Sequence, residues 1–214
     1  MTLEYLDDRL GLADELRLGR ATMLEPQDLP GRYGRVIKAI DHVLEVAGCM
    51  SVVAGGWAVW RHGYVGRVTQ DVDIALAANQ VEEFMRVAAV AGFELLPVAP
   101  GRWPKLVHKD TGVEVDILPE GGRPGTGDHL APTLIPHPQD IGAKGNTLRY
   151  IPLPALMELK LAAGRARDDA DVVELVRANP DQTDIIRLRL ERVHADYVSQ
   201  FDKLVKRARD QDEA

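Results

Sequence analysis

Asp71 and Asp73 stand on either side of Val72 in the stretch Asp71-Val72-Asp73-Ile74-Ala75-Leu76. Carboxylates at positions i and i+2 project from one face of a strand. Held that close, two like charges repel unless a cation lies between them. Mg²⁺ suits such a pair, because it takes a few carboxylates together with phosphate oxygens and water. An Asp-x-Asp pair alone is also what a solvated strand end looks like. A second alternation, Gly112-Val113-Glu114-Val115-Asp116-Ile117-Leu118, presents Glu114 and Asp116 on the polar face of another strand. If the two strands lie side by side, Asp71, Asp73 and Asp116 converge, enough carboxylates for a pair of metal ions. Paired metals that span an attacking and a leaving oxygen serve in-line phosphoryl or nucleotidyl transfer.

Gly55-Gly56 close the apolar run Ser51-Val52-Val53-Ala54 and open a short helix. Backbone N–H groups at such a junction face outward, and the missing side chains let a phosphate approach the chain. A tight turn that needs positive φ is the bland alternative. Lys160 falls in line with Leu153, Leu156 and Met157, so it either snorkels or is aimed at an anion. Asp168 and Asp171 stand at cap and N3 spacing before Val172-Val173-Glu174-Leu175-Val176, which reads as helix capping for Asp168 and leaves Asp171 open. Arg102, Lys105 and Lys109 read as a solvated face, with a place beside an acceptor as the sharper option. His62, His108, His129 and His137 have no metal-ligand spacing. Trp57, Trp60 and Tyr64 are expected to pack the short helix onto the sheet.

The elements that must position these residues are legible from periodicity. Residues 2–21 and 31–48 carry apolar positions at helical spacing, broken by Glu25-Pro26-Gln27-Asp28-Leu29-Pro30-Gly31. Strands are expected over 51–54, 71–76, 93–98, 105–108, 113–118 and 148–151. A hairpin joins the fourth and fifth of them through Lys109-Asp110-Thr111-Gly112. Helices are expected over 57–62, 80–91, 153–163, 169–178 and 183–209. Residues 119–145 are rich in Gly and Pro and long for a loop in a compact domain, which marks such segments as functional or disordered. Strands and helices alternate first and hairpins follow, so the sheet should be mixed, in an α/β (α+β) fold. N-terminal helices over 1–48, a catalytic core over 49–152 and a helical region over 153–214 should form one compact unit.

Composition sets the remaining bounds. The chain has 214 residues, enough for a sizeable core, with 45% hydrophobic and 28% charged residues. Its one cysteine, Cys49, cannot form an internal disulfide, which fits a reducing cytoplasm. The apolar stretch from Met50 to Trp60 is too short to span a bilayer, and the first residues carry no basic-then-apolar signal pattern. A net charge of −7 argues against sequence-blind binding to duplex nucleic acid, though a nucleic-acid end could enter a locally basic cleft.

The paired glycine after a strand, then Arg67-x-Thr69-x-Asp71-x-Asp73, then a lone Asp116, resembles the nucleotidyltransferase superfamily that includes DNA polymerase beta. The resemblance covers roughly residues 50–175 and is nearest to compact bacterial members from abortive-infection and toxin–antitoxin systems. Fourteen residues separate Gly56 from Asp71, slightly more than the family spacing; an extra residue around Tyr64-Val65-Gly66 would absorb the difference. The resemblance implies a small mixed sheet flanked by helices with a C-terminal helical bundle. It implies a cytoplasmic enzyme that moves a nucleoside monophosphate from an NTP such as ATP to an acceptor and releases pyrophosphate. Asp71, Asp73 and Asp116 would hold Mg²⁺ or Mn²⁺, with Asp116 assisting as base. Gly55, Gly56, Arg67 and Lys160 would bind the triphosphate, with an exposed loop arginine as the plain alternative for Arg67. A tRNA end, a protein hydroxyl and a small antibiotic-like molecule stay open as acceptors, and an antitoxin-like protein as partner. Two rival readings are a non-catalytic nucleotide-binding protein and a metal-dependent phosphohydrolase.

Overall fold

The computed structural model describes Leu10 and residues 25–67, 69–126 and 129–212. The apolar runs β1 (Ser51–Val53) and β2 (Asp71–Leu76) lie antiparallel near the middle of a sheet. β3 (Phe93–Leu96), β4 (Lys105–His108) and β5 (Glu114–Pro119) follow as an antiparallel meander. A separate ribbon of β6 (Gly125–Thr126) and β7 (His129–Leu130) stands in the Gly/Pro-rich loop, and β8 (Arg149–Tyr150) returns to the main sheet. The order across the six-stranded sheet is β3-β4-β5-β2-β1-β8. β5 runs parallel to β2 and β8 parallel to β1, so the sheet is mixed, as the alternation of elements predicts.

Helices cover the sheet unequally. α1 (Gly31–Ala47) ends at Gly48 in the left-handed conformation, a position glycine takes without a Cβ penalty. α2 (Gly55–Arg61) follows β1, and α3 (Val81–Val90) follows β2. Tyr33, Val36, Ile37 and Ile40 of α1 and Phe84 of α3 pack on Val72, Ile74, Val115 and Ile117 from one face of the sheet. That burial supplies the apolar area that drives the core together. Trp57 and Trp60 join the same core, whereas Tyr64 packs against the other one. Cys49 is buried and free.

On the opposite face, α4 (Leu153–Ala163), α5 (Ala166–Ala178), α6 (Thr183–Val193) and α7 (Ala195–Asp212) bury their stripes against Val52 and Ala75. The single helix expected over 183–209 is two helices. The chain breaks at His194, where φ −163° and ψ 137° are extended. The break lets Ile186 and Leu190 on one side, and Tyr197, Phe201 and Leu204 on the other, reach one core. The helix expected over 2–21 falls almost wholly outside the described residues. Among the described residues no helix is long and apolar enough to cross a membrane.

Candidate active site

β2 and β5 pair in parallel register, with Asp71 beside Glu114 and Asp73 beside Asp116. Neighbours in register share a face, so these four carboxylates lie on one side of the sheet while Val72, Ile74, Val115 and Ile117 are buried on the other. Like charges opposite one another on a sheet are destabilising, and here they come twice. The effect is visible at Asp73, whose pKa is pushed up to about 6. Burial is the largest cause, followed by the charges of Asp71 and Asp116; Lys160 and Arg67 pull it back only in part. Burial also raises Asp116, with Lys105 opposing and Asp71 and Glu114 adding to the rise. The Thr69 hydroxyl donates to Asp71 Oδ1 at 3.2 Å.

The two glycines sit where side chains have no room. Gly55 has φ +59°, and a Cβ on it would come 1.7 Å from Asp73 Oδ2. A Cβ on Gly56 would lie 2.2 Å from Thr69 Oγ1 and 2.5 Å from an Arg67 guanidinium nitrogen. The turn and the close approach are therefore both real, and what approaches is the chain's own acid and base. α2 has seven residues, so its dipole adds little to what the backbone N–H groups offer.

Lys160 and Arg67 are drawn into one buried cluster. Lys160 Nζ donates to Asp171 Oδ2 at 2.6 Å and to Asp168 Oδ1 at 3.0 Å. Arg67 Nε lies 3.2 Å from Asp171 Oδ1, and Arg165 donates to both oxygens of Asp168. The capping expected of Asp168 does not occur: the helix begins at Ala166 with Arg165 at its N-cap, and Asp168 turns inward. Nor does Lys160 snorkel, since its side chain is 5% exposed. Burial pushes the Asp168 pKa up, but the hydrogen bonds and charges of Arg165 and Lys160 outweigh it and hold it below the ordinary value.

Lys105 corrects the reading of a solvated basic face. Its Nζ donates to Glu114 Oε2 at 2.8 Å and lies 3.0 Å from Asp116 Oδ1, with its side chain 30% exposed. The signal was in the hairpin: a turn over 109–112 sets His108 opposite Val113, and counting back along both strands sets Lys105 opposite Asp116. Among the described residues no three His, Cys, Asp or Glu side chains are gathered closely enough to hold a metal ion. Thr69 and Lys105 each engage one of the carboxylates, Asp71 and Asp116 respectively. The donor set itself fits a hard divalent cation: carboxylate oxygens only, with repulsion among Asp71, Asp73 and Asp116 that the surrounding cations leave unrelieved at Asp73.

A cavity of about 600 Å³ opens over this face. Gly55, Asp73, Asp116, Lys105 and Lys160 line it together, with Arg165 at the N-cap of α5 and Asp168 within it. Arg102 and Trp103 from the loop before β4, and Arg123 from the Gly/Pro-rich loop, complete its wall. Arg123 and Arg165 have no part in the sequence reading. Its size lies within the ordinary range of ligand pockets, roughly 300–1,000 Å³. Three of the four histidines singled out are engaged in plain hydrogen bonds: His62 with the Ile151 carbonyl, His108 with the Thr111 hydroxyl, and His137, which accepts from the Gln139 N–H.

No family model matches the sequence, and no curated protein matches it. Among solved structures, ANT(2'')-Ia in complex with adenylyl-2''-tobramycin aligns with 83% of this chain and 97% of its own, at 16% identity and a TM-score of 0.45.

Proposed function

We propose that the protein is a metal-dependent nucleotidyltransferase that moves a nucleoside monophosphate from an NTP to an acceptor hydroxyl or phosphate. The observation that carries this reading is the register of Asp73 with Asp116, beneath Gly55, at the floor of a cavity with room for a nucleotide. Asp71, Asp73 and Asp116 would hold Mg²⁺ or Mn²⁺, which supplies charge neutralisation at the phosphates and a lowered pKa at the acceptor. The N–H groups at Gly55 and Gly56 would orient the polyphosphate, beside the Asp73 carboxylate that packs against Gly55 and the Thr69 and Arg67 side chains that pack against Gly56. Lys160, Arg67 and Arg165 hold the helical wall close and keep the surroundings positive toward an anionic substrate. Asp116, raised by burial and by its acidic neighbours, takes the acceptor proton. The acceptor oxygen attacks the α-phosphorus, the bond from that phosphorus to the bridging oxygen breaks, and pyrophosphate leaves with the electron pair. The resemblance to compact bacterial members extends the proposal to a toxin–antitoxin or abortive-infection component acting in the cytoplasm with an antitoxin-like partner.

The test is incubation with each α-labelled NTP, Mg²⁺ or Mn²⁺ and a cell extract. Label should move onto an acceptor with wild-type protein and stay on nucleotide with Asp73→Ala. Release of labelled monophosphate without any labelled acceptor would instead show hydrolysis. NTP binding without turnover would show a binding protein.

A further inference from the structure

The acidic face of β2 and β5 carries a resident cation. Lys105 comes from β4, the strand on the far side of β5 from β2, and reaches back over β5 to Glu114 and Asp116. It is the residue in register with Asp116 across the hairpin, and it lines the same cavity as Asp73. Two in-register acid pairs would repel strongly if nothing intervened. The ammonium relieves the half of that repulsion lying on β5, at the very carboxylate that the proposed mechanism gives to the metal and the acceptor proton. Lysine is apt for this, being a compact charge on a flexible four-carbon stem that can leave without moving the strand.

We infer that Lys105 is a positioning residue that holds Asp116 and Glu114 until a divalent cation displaces it, so that metal binding and the release of Lys105 are one exchange. This rests on the reading of Asp71, Asp73 and Asp116 as metal ligands. A monovalent ammonium and a divalent ion compete for the same carboxylate oxygens, and the divalent ion wins only by adding contacts to Asp71 and Asp73. Apparent metal affinity is then lowered by the strength of the lysine contact. Once displaced, the ammonium stays in the cavity, facing whatever anion enters with the metal. A purely structural ion pair predicts none of this, because it would persist unchanged with metal bound.

The experiment is a Mn²⁺ titration followed by electron paramagnetic resonance, on wild type, Lys105→Met and Asp73→Ala. Removing the competing charge should tighten Mn²⁺ binding about tenfold in Lys105→Met, while Asp73→Ala loses the site. Equal or weaker Mn²⁺ binding in Lys105→Met, with wild type binding and Asp73→Ala not, overturns the exchange and leaves the metal reading standing. No Mn²⁺ binding by wild type overturns both. Should Lys105→Met fail to fold, reductive methylation of the wild-type protein read by mass spectrometry decides the matter. Labelling of Lys105 should rise severalfold on saturation with Mn²⁺, and unchanged labelling overturns the exchange.

Discussion

Two clusters of charge face each other across one cavity, and they are built on opposite plans. On β2 and β5, Asp71, Asp73, Glu114 and Asp116 stand in register, acid beside acid, with Lys105 reaching two of them. On α4 and α5, Asp168 and Asp171 are more deeply buried, yet each is gripped by two cations: Lys160 with Arg165, and Lys160 with Arg67. The outcome separates the two. Asp168, gripped by Arg165 and Lys160, titrates below its ordinary value, while Asp73 is pushed up to about 6, by burial first and then by the charges of Asp71 and Asp116. Burial raises both, and the neighbours decide whether that rise is offset or reinforced. The helical cluster neutralises its acids, whereas the sheet cluster keeps repulsion that Lys105 relieves only in part.

Substitutions on each side test that contrast. The largest effect belongs to the sheet: Asp116→Ala should lower label transfer by about a thousandfold, with urea unfolding unchanged or slightly improved. A loss of stability there would place Asp116 in the structural class instead. Lys160→Met should do the reverse of the acid substitutions, because it leaves two buried carboxylates short of a partner. Such a change costs about 3 kcal/mol, read as a lower urea midpoint, and an unmoved midpoint would remove the contrast altogether. Gly55→Ala should cost about 2 kcal/mol, because its φ of +59° disfavours a side chain and the new methyl would strike Asp73. Gly48→Ala, also at positive φ but with open space around it, should cost less, and the gap between the two measures the approach of Gly55 to Asp73.

The smallest effect is the most diagnostic. Asp73 has a folded pKa of about 6 against 3.8 for the free group. Between those values the folded chain binds more protons than the unfolded one, so wild-type stability falls as pH rises through the window. Asp73→Asn cannot ionise and should escape that cost. In chelated buffer it should be more stable than wild type by about 1 kcal/mol at pH 8, after discounting for partial exposure. The gap should shrink through pH 6 and close below pH 4. A gap that widens toward acid would mean that Asp73 is stabilised as a carboxylate, like Asp168.

Much of this arrangement is legible in the sequence. The alternation in 71–76 and 113–118 fixes which residues share a face, and the hairpin turn over 109–112 fixes the antiparallel neighbour. The parallel pairing of β2 with β5 is less visible, because no local signal names the partner of a strand that joins by crossover. Lys105 could have been placed by counting residues outward from the turn. The cluster around Lys160 is harder, since Asp168 and Asp171 at cap spacing look the same whether they face water or a lysine eight residues earlier. The break at His194 lacks the usual marks, for residues 183–212 contain neither glycine nor proline. Packing of both helices on one core accompanies it, and the His194 ring accepts from the Asp196 N–H at the start of the next helix.

The contact between Arg67 and Asp171 makes a practical demand on anyone who would rebuild this molecule. Arg67 leads into the strand of the acids, and Asp171 belongs to the second helix of the tail, so the tail is no exchangeable cassette. A chimera carrying a foreign helical end would need its own carboxylate opposite Arg67. Without one, the guanidinium beside Gly56 would lose its buried ion pair with the tail.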